Sequence, residues 1–64
     1  MNLLVLDLED RAVRRLTSDA LSRLARSRDA VEIALELLDM DEPAHIPSPV
    51  PGAKGWKIVE VLRT

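Results

Sequence analysis

The longest amphipathic pattern in the chain runs through residues 9–40 and predicts helix. On a wheel of about 100° per residue, the apolar side chains of its first half share one side, and arginines and small polar residues take the other. Without a break, the same helix would bring Arg28 into the apolar side and turn Ile33 toward water. A break at Ser27, whose hydroxyl is a suitable N-cap, removes this conflict. The pattern therefore predicts two helices, over about residues 10–26 and 28–40.

The start of the first helix has two interpretations. Thr17 and Ser18 are cap-type residues followed by Asp19, so a fresh helix could begin there. The apolar stripe crosses these residues without a change of phase, which favours one continuous helix from about residue 10.

The second helix has a wide apolar surface. Its apolar side chains cover an arc of roughly 200°, which is more than one contact can bury. A chain of 64 residues buries only about 60% of its unfolded surface, so it has difficulty covering both sides of such a helix. Ile33 and Leu37 are therefore candidates for contact with a partner.

A strand is predicted at each end of the chain. Residues 3–8 form a short aliphatic run, after which the spacing of apolar residues changes to that of a helix. Four prolines in residues 43–51 indicate an extended connector, and Gly52 and Gly55 bracket a turn. Residues 56–62 then alternate as a strand does. Trp56, the only aromatic residue, fills either the core or a pocket of a partner, and the other candidate partner contacts on this strand are Ile58, Val59 and Leu62.

The predicted fold class is α+β. The order is a short N-terminal strand, two helices, a proline-rich connector and a C-terminal strand. We divide the chain into a strand-helix-helix dimerisation module, residues 1–42, and a partner-binding extension, residues 43–64. Oligomerisation is expected, since the chain is small and has no cysteine for a disulfide.

The residue inventory argues against an enzyme. His45 is the only histidine and lies in the proline-rich connector, where an exposed side chain is expected. The carboxylates Glu32 and Glu36 are ordinary neighbours on the polar face of a helix. We predict no catalytic residue, no metal site, no cofactor and no small-molecule substrate.

The distribution of apolar residues also bears on location. No segment approaches the roughly 18 apolar residues that span a bilayer. The N-terminal apolar run is interrupted by Asp7 and has no basic segment before it, so no signal peptide is expected. The sequence predicts a cytoplasmic protein without a membrane partner.

Charge is unevenly spread along the two helices. Residues 10–28 contain six arginines, whereas residues 29–42 contain six acidic residues and no base. Either the two helix faces neutralise each other, or the first helix meets an anionic partner such as nucleic acid.

The pattern of strand, helix and helix resembles the ribbon-helix-helix regulators, which include many bacterial antitoxins. The matching segments are VLDL at 5–8, EDRAVRRLTSDALSRLAR at 9–26 and SRDAVEIALELLDM at 27–40. The resemblance implies that two ribbons pair across a dimer axis and enter the DNA major groove, and that Ser27 and Arg28 hold a phosphate. It also implies that the extension wraps a partner protein. Arg11, Arg14 and Arg15 are further candidates for nucleic-acid contact.

Two functional interpretations follow. The first is a non-enzymatic, antitoxin-like regulatory homodimer that binds a larger protein through residues 43–64 and leaves DNA binding open. The alternative is a compact α+β adaptor or inhibitor subunit without a DNA role. In the alternative, strands 3–8 and 56–62 pair within one chain and the second helix docks on a larger protein.

Overall fold

The computed structural model describes residues 1–63 as one antiparallel sheet with two helices on one face. The strand order in the sheet is β2-β1-β4-β3, and this architecture confirms the α+β class. The elements in chain order are β1 (Asn2–Asp7), β2 (Val13–Thr17), α1 (Ser18–Ala25), α2 (Arg28–Asp39), β3 (His45–Ile46) and β4 (Trp56–Leu62).

The predicted first helix is wrong over its N-terminal half. Residues 13–17 form β2, which pairs antiparallel with β1 and sets Leu16 opposite Leu3. Leu16 fits the buried face of a strand as well as the stripe of a helix, and the pairing with β1 decides for the strand. The helix begins at Ser18 instead, because the Thr17 hydroxyl accepts a hydrogen bond from the amide of Ala20 at 3.1 Å. The second interpretation of the helix start is therefore correct.

The predicted break at Ser27 is confirmed. The Ser27 hydroxyl caps α2 by accepting from the amide of Ala30 at 3.1 Å. Arg26 ends α1 in the left-handed region, with φ 53° and ψ 33°. The amides of Arg26 and Ser27 donate back to the carbonyls of Arg23 and Ser22, which closes the C-terminus of α1.

The C-terminal strand has its predicted bounds and lies beside β1 in the same chain. Asp7 is opposite Trp56 and Asn2 is opposite Leu62, with an irregularity in the register between Leu4 and Val5. Both edges of β1 are therefore paired, one with β2 and one with β4. The two-residue strand β3 was not predicted; it lies inside the proline-rich connector and pairs with the start of β4.

The core lies between the helices and one face of the sheet. It includes residues from both sides of the predicted division at residue 42, so the core is continuous across that boundary. The division into two functional parts stays a prediction, as does the dimer. The buried residues are Leu3, Val5, Leu21, Ala25, Val31, Ala34, Ala44, Ile46 and Ile58. Neither helix within residues 1–63 has the length and apolar content needed to cross a bilayer.

Candidate functional site

The helices leave one end of their sheet face uncovered, and a groove of about 240 Å³ lies there. Small-molecule pockets are usually about 300–1,000 Å³, so this groove has room for one or two side chains rather than for a metabolite. Its lining combines apolar side chains with one carboxylate and one guanidinium group. We call this cavity the groove, and the residues that line it are Val5, Asp7, Arg14, Leu16, Leu24 and Trp56.

The sheet register brings the groove residues to one face. Val5 lies opposite Arg14, and Asp7 lies opposite Trp56. Directly opposite residues of antiparallel strands share a face, so these four side chains point to the helix side of the sheet. Leu24 on α1 forms the remaining wall and is 49% exposed. An apolar side chain entering the groove would contact Leu24, Val5 and Trp56.

Arg14 forms two ion pairs at the rim of the groove. Its Nη1 atom lies 3.1 Å from Asp7 Oδ2, and its Nη2 atom lies 2.6 Å from Asp10 Oδ2. The hydrogen bond from Arg14 lowers the pKa of Asp10, and the same bond raises the pKa of Arg14. Asp10 and Arg14 therefore keep their charges at neutral pH, and the rim supplies fixed charges rather than an exchangeable proton.

The two carboxylates also organise the loop between β1 and β2. Asp7 Oδ1 accepts from the amides of Glu9 at 2.8 Å and Asp10 at 3.3 Å, and Asp10 Oδ1 accepts from the amide of Ala12 at 2.9 Å. Arg11 has a positive φ of 65°, which lets the chain reverse. The loop thus fixes the two carboxylates that pair with Arg14.

The outer edge of β2 is the second feature of the site. The amide of Asp7 donates to the carbonyl of Ala12, and the amide of Ser18 donates to that of Met1. Hydrogen-bonded and non-hydrogen-bonded residue pairs alternate along two antiparallel strands. The backbone groups of Arg14 and Leu16 therefore point to β1. Those of Val13 and Arg15 point away from the sheet. No other strand within residues 1–63 pairs with this side of β2, which we call the open edge.

The structure separates the five predicted nucleic-acid residues into two groups. Arg11, Arg14 and Arg15 lie on the β1–β2 hairpin, and Arg14 is occupied by its two carboxylates. Ser27 and Arg28 lie at the junction of the helices, where the Ser27 hydroxyl serves as a cap. Arg23 and Arg26, which sequence reasoning missed, lie at the same junction. We call Arg23, Arg26 and Arg28 the arginine cluster.

The predicted partner-binding residues are also dispersed. Ile33 is exposed on α2 and Leu37 is half-buried beside it. Val59 is exposed on β4, whereas Leu62 and Trp56 are half-buried. Ile58 is only 1% exposed and packs in the core, so in this fold it is not accessible to a partner. Trp56 is the one member of this set that lines the groove.

His45 and the acidic residues carry the side-chain types that bind metal ions. His45 is exposed, as expected, with its Nε2 atom 3.2 Å from the carbonyl oxygen of Lys54. Among residues 1–63, no group of three or more histidine, cysteine or acidic side chains is arranged to hold a metal ion.

Comparisons with protein-family models, curated proteins and solved structures give no match to this chain. The resemblance to ribbon-helix-helix regulators therefore stays a prediction. The sequence signal that could have found the groove is the series Asp7, Asp10 and Arg14, because two carboxylates around a turn can hold an arginine on the returning strand.

Proposed function

We propose that this chain is a small non-enzymatic protein-binding module that receives an extended segment of a partner protein along the open edge of β2. The observation that carries the proposal is the position of the apolar groove beside that edge. Addition of a strand to a sheet edge is a recurrent mode of peptide recognition, in which backbone hydrogen bonds give affinity and pockets for side chains give specificity. Both parts are present here.

The chemistry of the open edge defines the segment that fits. Val13 and Arg15 each offer a backbone donor and acceptor pair to an incoming strand. Arg15 is exposed and forms no ion pair within residues 1–63, so an acidic side chain opposite it is favoured. On the helix side, an apolar side chain of the segment can enter the groove against Leu24. The preferred segment is therefore extended, with one apolar anchor and one acidic residue.

The pairing of β1 with β4 inside one chain favours the adaptor interpretation. A ribbon-helix-helix dimer needs a free edge on β1 for its ribbon, and here both edges of β1 are occupied. The antitoxin-like regulatory homodimer stays a proposal that requires β1 to leave one of its two neighbours. The adaptor requires no rearrangement of the sheet.

A displayed library of random peptides tests the proposal. Binders selected on the wild-type chain are measured against Arg15→Pro, which removes both an outward-pointing amide and the Arg15 guanidinium of the proposed site. Proline is tolerated at such positions of edge strands. The binders are also measured against Leu24→Asp in the groove and against Ile33→Asp, a matched change on α2. We expect Arg15→Pro and Leu24→Asp to weaken binding by about tenfold or more, whereas Ile33→Asp retains it.

The fold of each variant is checked by circular dichroism, since a loss of binding counts only in a folded chain. Binders that keep their affinity for both Arg15→Pro and Leu24→Asp would contradict the proposed site. A library that yields no binder to the wild-type chain would contradict the proposal as a whole.

Nucleic-acid binding is the second candidate, and the observation that favours it is the arginine cluster. Its three side chains are exposed and form no ion pair within residues 1–63. Binding through phosphate contacts weakens steeply as salt rises. A DNA gel shift at low salt that disappears in the triple variant Arg23→Gln, Arg26→Gln and Arg28→Gln would support this candidate. Absence of any shift at low salt would exclude it.

A further inference from the structure

The outward surface of α2 carries an apolar stripe that the rest of the chain buries only in part. Val31 and Ala34 point into the core, whereas Ile33 is 57% exposed and Met40 is 62% exposed. Spacings of three and four residues place the exposed side chains on one face of the helix. We call this face the α2 stripe, and its residues are Ala30, Ile33, Leu37 and Met40.

Carboxylates flank the solvent side of the α2 stripe. Asp29 is four residues before Ile33, and Glu36 is four residues before Met40, so each acidic side chain lies next to an apolar one on the helix surface. Residues 29–42 contain six acidic residues and no lysine or arginine. None of the six forms an ion pair within residues 1–63. Their charges are therefore available to a partner.

A second copy of the chain does not complement this surface. In a symmetric antiparallel pair of helices, each flank faces the same flank of the other copy. The flank with Asp29 and Glu36 would then meet two identical carboxylates, and like charges in that position are unfavourable. The surface instead fits a partner with lysine or arginine beside its own apolar stripe.

We propose that the α2 stripe binds a basic amphipathic helix of another protein. Apolar side chains of that helix pack on Ile33 and Leu37, and its basic side chains pair with Asp29 and Glu36. Helices at an interface recognise each other through apolar contacts at spacings of three and four residues, and flanking charges select the partner. None of the α2 stripe residues lines the groove.

Two synthetic amphipathic helical peptides test this inference. Both have leucine along one face; one has lysine on the flanks and the other has glutamate. Fluorescence anisotropy of the labelled peptides measures binding to the full chain. We expect the lysine peptide to bind with an affinity that falls as salt rises, and the glutamate peptide not to bind.

Matched variants locate the contact. Ile33→Asp should weaken binding of the lysine peptide by about tenfold or more, because the substitution places a charge at the centre of the apolar contact. Val50→Asp, an equal change at an exposed valine of the proline-rich connector, should not. Glu36→Lys should weaken binding of the lysine peptide. Glu60→Lys, the same change on the outer face of the sheet, should not.

The inference is overturned if neither peptide binds at low salt, if both bind equally, or if Ile33→Asp and Val50→Asp behave alike. It is also overturned if sedimentation equilibrium shows a dimer that Ile33→Asp dissociates, since the occupant is then a second copy. Leu24→Asp should leave the lysine peptide bound. Failure at the groove and failure at the α2 stripe are thus distinguishable.

Discussion

Gly55, the residue before β4, has no room for a side chain. Its φ is +83°, and a Cβ atom there would lie 2.2 Å from the carbonyl oxygen of Ile46. Gly55→Ala should therefore lower the free energy of unfolding by about 2–4 kcal/mol, from the left-handed backbone and the backbone clash together. Urea denaturation followed by Trp56 fluorescence measures this.

Gly52→Ala is the control for that change. Gly52 has a similar φ of +84° but nothing within 4 Å of a Cβ atom. Gly52→Ala should therefore lower the free energy of unfolding only by the strain of the left-handed region, about 1–2 kcal/mol. Equal losses in the two variants would contradict the close approach of Gly55 to Ile46.

Arg26 ends α1 in a conformation that glycine adopts more easily. Its φ of 53° strains an ordinary side chain by about 1 kcal/mol. Arg26→Gly should therefore raise the free energy of unfolding by about that amount. Arg28→Gly removes the same charge inside α2 and should lower the stability by up to about 1 kcal/mol. A decrease with Arg26→Gly would contradict the left-handed helix end.

Asp10 should titrate below the usual carboxyl range because of its hydrogen bond to Arg14. The folded-state pKa is lower than the ordinary value of 3.8, so the contribution to stability is present above that value and is lost as the pH falls through the folded-state pKa. Arg14→Gln should raise the pKa of Asp10 toward 3.8 in an NMR titration. Arg15→Gln, an equal charge change on the other face of β2, should leave it depressed. Equal shifts in both variants would contradict the ion pair.

At the scale of elements, the sequence was sufficient where the local signal had no competitor. The break at Ser27 was predicted from a phase conflict, and the strand at residues 56–62 from an alternating pattern. In residues 13–17 the apolar side chains Val13 and Leu16 are three residues apart, which fits a helix stripe and not the alternation of a strand. The pairing with β1, which the local pattern does not show, makes this segment a strand. The groove depends on that pairing, so Leu24 could not be assigned to it beforehand.

Amide hydrogen exchange tests the assignment of β2 and its open edge. The amides of Arg14 and Leu16 donate toward β1 and should exchange slowly, whereas those of Val13 and Arg15 point to solvent and should exchange quickly. A helix over the same residues would protect successive amides alike. Uniform protection from Val13 to Leu16 would therefore contradict both the strand and the open edge.

At the scale of the whole molecule, charge and apolar surface are divided among three regions. The groove and the open edge lie at the hairpin side, the arginine cluster lies at the junction of the helices, and the α2 stripe lies on the outward face of the second helix. A small core explains why apolar surface remains exposed, since a chain of this size cannot bury all of it. The two proposed protein-binding surfaces would suit an adaptor.

The pairing of β1 with β4 inside one chain is the central feature, because it brings Trp56 to the groove and occupies the second edge of β1. NMR on a mixture of isotope-labelled and unlabelled chains separates contacts within a chain from contacts between chains. We predict that the contacts between Asp7 and Trp56 and between Asn2 and Leu62 appear only within one chain. Their appearance only between chains would contradict the account, because β1 and β4 would then belong to a dimer.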